Sequence, residues 1–437
     1  MHRHALGVLW VLAYVLVVSS PLLFMAVRPV PPARPFLLEA SVALGFVAIL
    51  MMAIQFVLIG RFQSMSAPFG IDVLLRYHRH IAAIALVFVV LHSAMLVLHD
   101  PALVAWYDPI GGTWASRTGA WALYAFILLT LLSVFRQQLR LGYEAWRASH
   151  TLLAVIALAC ALVHVHLAGR YITTAWKEWL IVAICVAMVG AYAFVRLVRP
   201  ALLRRVPYRV TEVRPERGRV WSLALQADGH PGLRFLPGQY GYLKLGSPYS
   251  LDEHPFSFSS SSENRDRLEF AIKELGDFTD RIGQVPPGTI AFVDGPHGSF
   301  STDLTPAPGY VFIAGGIGIA PFMSLLRTLA DRRDPRPVLL VYGEKHWDDV
   351  AFREELDELK QRLNLDVVLV LEKPHEDWEG ETGFVTETVL RRLLPREGFE
   401  RHVFICGPNP MIDAVERALV ACGVPERNVT AERFDLV

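Results

Sequence analysis

Six apolar runs fill the first 200 residues and constrain the fold more than anything else in the chain: residues 6–27, 36–59, 81–98, 119–135, 151–168 and 179–197. Each approaches or exceeds the length that carries a helix across a bilayer. Backbone in lipid must satisfy its own hydrogen bonds, so runs of this kind fold as a helical bundle. The first run is long for the core of a secretory leader and lacks a convincing small-residue cleavage site, so it is expected to be retained.

Charge follows the same division. The chain is neutral overall, yet residues 1–200 hold 14 Lys and Arg against 6 Asp and Glu, and the remainder holds 28 against 36. A basic-flanked membrane unit precedes a mildly acidic soluble one, and neither half suggests nucleic-acid binding. With the N-terminus inside, eleven arginines lie on the inner side and five basic residues on the outer side, so both termini are expected in the cytoplasm. Cys160, Cys185, Cys406 and Cys422 show neither metal-ligand spacing nor a disulfide framework, which suits a reducing compartment.

Two of the runs share a histidine pattern. Residues 77–99 read YHRHIAAIALVFVVLHSAMLVLH, and residues 148–169 read ASHTLLAVIALACALVHVHLAG. His78 and His92 are 14 residues apart, and so are His150 and His164. On a helix that interval rises about 21 Å and returns to nearly the same face. In the orientation above, both helices run outward. His78 then pairs with His150 at the inner surface, and His92 with His164 at the outer one. A single histidine in a span is explained by a hydrogen bond to a neighbouring helix; four with matched spacing are not, since each is costly in lipid. Neutral imidazole is a good axial ligand for haem iron, so the pairs predict two stacked haems and an electron path across the bilayer. His80 and His166 lie two residues from a ligand on another face, as alternative ligands or supporting groups. Arg76, Arg79 and Arg147 either meet the propionates of an inner haem or are ordinary positive-inside charge.

Beyond Arg205 the texture changes to strands and turns. Residues 207–225 alternate as a strand pair, 235–245 (FLPGQYGYLKL) continue it, and 268–274 are strand-like. Among them stand His254-Pro255-Phe256-Ser257-Phe258-Ser259, then Gly276-Asp277-Phe278-Thr279 at a helix start, then Asp294-Gly295-Pro296-His297-Gly298 as a closing turn. Hydroxyls, backbone N–H groups, Lys273 and a helix N-terminus suit a flavin's ring edge and pyrophosphate. A small β-barrel with busy turns would show the same pattern.

The last unit is α/β. Residues 310–314 (YVFIA) read as a buried strand leading into Gly315-Gly316-Ile317-Gly318-Ile319-Ala320-Pro321 and an amphipathic helix over 322–331. Strand, glycine turn and helix form a site for a nucleotide's phosphates. Residues 338–342 with 349–363 repeat the strand–helix unit. Residues 403–406 then lead into Gly407-Pro408-Asn409-Pro410-Met411, and the alternation argues for a parallel sheet.

The two histidine pairs, HPFSFS, IKELGDFT, DGPHGSF, AGGIGIAPF and FICGPNPM together resemble the NADPH oxidase and ferric reductase superfamily. Within it the chain is most similar to compact prokaryotic NADPH oxidase homologues without calcium-binding extensions. The resemblance covers nearly the whole chain and implies a multi-domain membrane protein. A six-helix transmembrane dihaem bundle (1–200) is fused to a ferredoxin–NADP reductase-like module. That module is an FAD-binding β-barrel (206–305) and an NAD(P)H-binding α/β domain (306–437). It implies that His78, His92, His150 and His164 ligate two b-type haems. His254, Pro255, Phe256 and Ser257 would border the ring and ribityl of FAD, and Lys273, Gly276, Asp277, Phe278 and Thr279 its pyrophosphate side. Gly315, Gly316, Gly318 and Pro321 would line the phosphates of the nicotinamide nucleotide, with Cys406, Gly407, Pro408 and Met411 near its nicotinamide. Ser257, Cys406 and Phe434 are expected around the reacting rings. Eukaryotic members cover the flavin with a terminal aromatic; here Phe434 is followed by Asp435-Leu436-Val437, so it either stacks there or fills the core. NADPH is the expected donor, with NADH as the alternative. Lys345 is placed for a 2′-phosphate, and Glu344 beside it would oppose one.

The activity implied is electron transfer from cytosolic NAD(P)H through FAD and two haems to oxygen on the outer side, producing superoxide. A transmembrane ferric or cupric reductase, or an electron donor to a periplasmic protein, would share the architecture. Short outer loops favour a small acceptor, and His99 and Arg170 either hold a small anion at the outer end or are plain interfacial residues. The expected location is a bacterial inner membrane, with no obligate protein partner.

Overall fold

The computed structural model describes residues 2–28, 30–60, 62, 71–172, 174–250, 252–394 and 400–433. The chain forms two compact units that divide after Val198. In the first, helices α1 (His2–Met25), α2 (Phe36–Leu58), α3 (Ile71–His99), α4 (Trp114–Val134), α5 (Tyr143–Ala168) and α6 (Ala175–Ala193) follow one another, and α6 ends in a π turn, Phe194–Val198. All six are long and apolar enough to cross a membrane. Five start earlier than the hydropathy predicts, α3 at Ile71 and α5 at Tyr143 by the most. Arg76, Arg79 and Arg147 lower the local hydropathy there, yet arginine is a good helix former, so the helix outlasts the apolar run. Helix α2 is the buried one: Phe46, Ile49, Leu50, Ala53 and Phe56 belong to a core shared with Ala85 of α3, Phe126 of α4, Ala157 and Leu158 of α5 and Ile181 of α6. Ala85 and Ala157 are fully buried; small residues let helices approach closely where water gives no drive to associate.

The second unit opens with a short helix, α7 (Arg199–Leu203), and holds two sheets. Strands β1 (Tyr208–Glu216), β2 (Val220–Ala227), β3 (Tyr240–Leu245), β4 (His254–Ser257), β5 (Arg267–Lys273) and β6 (Ile290–His297) pair antiparallel in the order β4-β3-β6-β1-β2-β5. A bridge from Phe258 to Phe270 joins the two ends, so the sheet closes on itself as a barrel. Its inside is filled by Leu223, Leu243, Phe258, Phe270 and Ile282, all at 0% exposure. The DGPHG stretch, expected as a turn, lies mostly inside β6, where a bulge against β3 absorbs its irregularity.

Strands β7 (Tyr310–Gly315), β8 (Val338–Glu344), β9 (Leu365–Leu371), β10 (Glu381–Thr382), β11 (His402–Cys406) and β12 (Val429–Glu432) are parallel, in the order β10-β9-β8-β7-β11-β12. Helices α8 (Ile319–Asp331), α9 (Arg353–Arg362), α10 (Glu387–Leu393) and α11 (Asn409–Ala421) connect them. Strand order reverses at β7 and β11, and in open α/β sheets ligands bind at the carboxyl ends of strands at such a switch point.

Helix α8 fixes the barrel to the parallel sheet through one polar face. Ser324 Oγ accepts the Gly238 N–H at 3.3 Å, and Thr328 Oγ1 accepts the Ser262 N–H at 3.0 Å. Between them Arg327 donates to Glu269 of β5 (2.8 Å), to the Ser259 carbonyl (2.8 Å) and to both oxygens of Glu355 on α9 (2.6 and 2.8 Å). Residues three and four apart share a helix face, so one stripe of α8 makes all of these contacts.

Candidate functional site

In the bundle, the four histidines come together as two pairs. His78 and His150 have ring centroids 6.2 Å apart, and His92 and His164 are 6.4 Å apart. Two metal–imidazole bonds of about 2 Å, with about 1.1 Å from each nitrogen to its ring centre, need about 6.3 Å, so each pair fits one iron between its rings. Ring anchoring supports the same fit. His92 Nδ1 donates to the Ser41 carbonyl at 2.8 Å, His164 Nδ1 to the Ala115 carbonyl at 2.7 Å, and His150 Nδ1 lies 3.0 Å from Ser133 Oγ. With Nδ1 so occupied, Nε2 is left to a metal. Gly45 and Gly119 make room: a Cβ would stand 3.2 Å from His92 Nδ1 and 2.8 Å from His164 Nδ1. The His92–His164 pair lines an apolar cleft of about 160 Å³, bordered by Phe46, Trp106, Leu123, Phe126 and Arg170.

The neighbouring polar residues are otherwise engaged. His166 Nδ1 bonds Glu178 on α6, and His80 is exposed. Neither joins a pair. Arg170 reaches the Glu39 carboxylate at 2.9 Å and the Pro32 carbonyl at 2.6 Å, and Glu39 also accepts from Tyr171. The expected anion-holding charge is thus already paired. His99 lies exposed at the end of α3.

In the second unit, the two flavin motifs meet. His254 and Phe256 of β4 lie 4.5 and 6.1 Å, ring to ring, from Phe278. Asp252, paired with Arg281 at 3.0 Å, accepts from His254 Nε2 at 3.0 Å. Pro255 lies between them in β4, opposite Tyr242, and Ser257 is buried opposite Tyr240, which itself pairs with His297. The Gly276–Thr279 turn closes on itself: Thr279 Oγ1 accepts the N–H groups of Leu275 (2.8 Å) and Gly276 (3.0 Å). Those two amides are therefore taken up within the turn itself. Asp277 is exposed beside them, and a 3-10 turn, Thr279–Gln284, follows in place of the expected helix.

At the switch point the carboxyl ends of β7 and β11 lie side by side, with Ala314 opposite Cys406. Gly316 has φ +56°, open to glycine at little cost. Gly315 and Gly318 serve the packing: a Cβ would run into Met411 Sδ at the first and into the Cys406 carbonyl at the second. Gly407 backs onto Gly315, and Pro408 and Pro321 start α11 and α8. All of these predicted residues gather in one loop cluster. The Cys406 thiol is buried and pushed well up, by burial first and then by the Glu432 carboxylate, so it is held protonated. Glu432, which the sequence reading missed, also approaches the Gly298 turn; its only signal is its place at the end of the last strand. Phe434 lies outside the described residues. Burial raises the Glu344 carboxyl, and the Lys273 cation partly offsets this. Lys345 is exposed just past β8.

Comparison with known proteins gives three matches in order. Residues 44–161 match the ferric reductase like transmembrane component, 222–289 an FAD-binding domain and 312–417 the oxidoreductase NAD-binding domain. The anthranilate 1,2-dioxygenase electron transfer component of Acinetobacter baylyi is 30% identical over 217 residues, 48% of this chain and 62% of that protein. Ferredoxin–NADP reductase B of Sorangium cellulosum is 31% identical over 239 residues, 52% of this chain and 96% of that protein. The solved ferredoxin reductase in carbazole 1,9a-dioxygenase aligns with a TM-score of 0.46 and 26% identity, covering 52% of this chain and 69% of that one. These relatives correspond to about half of the chain, and the membrane component precedes their counterpart. Carrying that component and both nucleotide-binding domains in this order, the chain belongs to the NADPH oxidase and ferric reductase superfamily.

Proposed function

We propose that the protein moves electrons from cytosolic NAD(P)H, through FAD and two b-type haems, to oxygen on the outer side of a bacterial inner membrane, releasing superoxide. The observation that carries this reading is the pair of histidine pairs, one at each end of α3 and α5, each spaced for one iron. When bound, FAD takes up a hydride and yields its electrons singly, and each haem passes one electron. The chain contributes placement. The β7 and β11 loops would hold the nucleotide's phosphates and nicotinamide, β4 with Phe278 would hold the flavin, and His78, His150, His92 and His164 would hold the irons. With two imidazoles to hold each iron, an acceptor would be reduced without binding at the metal.

A second reading, a transmembrane ferric reductase, is favoured by the match of residues 44–161 to the ferric reductase like component. One experiment separates the two. Purified protein with FAD and NADPH is followed by haem absorbance and a cytochrome c reporter, with and without oxygen. Anaerobic haem reduction with a dismutase-sensitive aerobic signal supports the oxidase. A dismutase-insensitive signal, with ferric chelates reoxidising the haems faster than oxygen does, supports the reductase and overturns the superoxide assignment.

A further inference from the structure

Three of the four paired imidazoles have an Nδ1 partner on the neighbouring helix, and the fourth does not. His78 Nδ1 is buried with no hydrogen-bond partner among the described residues. The register of α2 on α3 locates what is opposite it. Ser41 of α2 bonds His92 of α3, and toward the other end Leu58 packs with Leu74. In an antiparallel pair the facing residue numbers keep a nearly constant sum, and here both contacts give it: 133 for Ser41 with His92 and 132 for Leu58 with Leu74. Gln55 with His78 also gives 133, so Gln55 stands level with His78. Ser41 and Gln55 are 14 residues apart, as are His92 and His78. Both steps are nearly four helical turns, so the face that carries Ser41 to His92 also carries Gln55 to His78. Gln55 Oε1 and Nε2 are likewise buried and without a hydrogen-bond partner among the described residues. Polar groups shut away from water are rarely left unmet, and here the two orphans fall at one level of one helix pair.

We propose that Gln55 is the positioning residue for His78: its amide oxygen accepts the Nδ1–H, as the Ser41 carbonyl does for His92, and so fixes the tautomer that presents Nε2 to an iron. The inference rests on the haem reading above. It also distinguishes the two sites. The outer pair is anchored on main-chain carbonyls, Ser41 and Ala115, which substitution leaves in place, with Ser41 Oγ, which donates to the His92 carbonyl, as a second neighbour of His92 Nδ1 at 3.0 Å. The inner pair is anchored on two side chains, Gln55 and Ser133. An acceptor on Nδ1 makes a ligating imidazole a stronger donor, which favours oxidised iron. The inner site's potential is therefore the more open to tuning by substitution of the anchors.

The test is a potentiometric titration of the haem absorbance in the full-length protein, with haem content measured alongside. Gln55→Leu is expected to raise the midpoint of one of two components and Gln55→Glu to lower that same one. Ser133→Ala is expected to raise the component that Gln55→Leu raises, with the other unmoved throughout. Haem content intact and both midpoints unchanged in the Gln55 variants, or movement of the component that Ser133→Ala leaves alone, overturns the assignment. If Gln55→Leu loses a haem, Gln55→Glu decides: recovery of both haems supports the anchor and continued loss refutes it. Failure of the underlying reading looks different. Then His78→Leu keeps the full haem content of the parent, or the parent itself binds none.

Discussion

Arg327→Met removes a guanidinium from a place where its partners have no substitute. The methionine keeps most of the aliphatic stem, and with it the packing beside Phe352, whose ring lies 5.6 Å from the guanidinium carbon. What is lost is the charge. Glu269 is 7% exposed; of its other cationic neighbours, Arg267 is 3.9 Å away and half exposed, and Arg214 is already bonded to Glu216 at 3.0 Å, so neither replaces a 2.8 Å bond. Glu355 is more exposed and can turn to water. The cost is therefore that of one buried carboxylate stripped of its partner, about 3–5 kcal/mol. Domains of this size lose about 2–4 °C per kcal/mol, so the melting point of the FAD- and nucleotide-binding unit should fall on the order of 10 °C. The assay is release of flavin fluorescence on heating the full chain in detergent. Adding Glu269→Gln to the variant should recover part of the loss, since it removes the stranded charge. A melting point within about 2 °C of the parent, less than 1 kcal/mol, would refute the reasoning.

Other expectations follow from the same geometry. His92→Leu should cost the outer haem while NAD(P)H still reduces the flavin; full haem content in that variant contradicts the ligand assignment. Gly318→Ala should cripple nucleotide-dependent flavin reduction, because the added methyl meets the Cys406 carbonyl, while chemical reduction of the flavin by dithionite is unaffected. Lys345→Ala should lower catalytic efficiency with NADPH and leave NADH unchanged; an efficiency unchanged from the parent with both nucleotides removes Lys345 from 2′-phosphate recognition. His402, bonded to Thr430 at 2.8 Å, is held down to about 4 by burial, against about 6.5 unfolded. Its neutral form is preferred in the fold, so its contribution is intact above pH 6.5 and lost as pH falls toward about 4. The difference in melting point between the parent and His402→Gln should change across that window and be flat above it.

Much of this was legible in the sequence because its signals are local. Apolar length gave the six helices, strict 14-residue spacing gave the histidine pairs, and strand–glycine–helix runs gave the parallel sheet around Gly315 and Cys406. Helix ends were misplaced where arginine hides helix behind low hydropathy, as at Ile71 and Tyr143. The residues that escaped notice act across long separations. Ser41 meets His92 and Ser133 meets His150 from other helices, Arg327 bridges to Glu269 and Glu355, and Glu432 reaches Cys406. None carries a motif, and a serine or glutamine inside an apolar span is uninformative until the helix register is known.

The equal spacing of the histidines restricts how this protein can change over evolutionary time. A one-residue insertion between His78 and His92 would swing one imidazole by about 100° around α3, out of its pair, and lengthen the step by about 1.5 Å. The same holds between His150 and His164 on α5. Substitutions within these segments are tolerable so long as they stay apolar, but insertions and deletions are not. Only a change of about seven residues, made in both helices at once, would restore the faces, and it would shift the two histidine pairs by about 10 Å relative to one another. In descendants of this chain, length within these two segments should be more invariant than amino-acid identity.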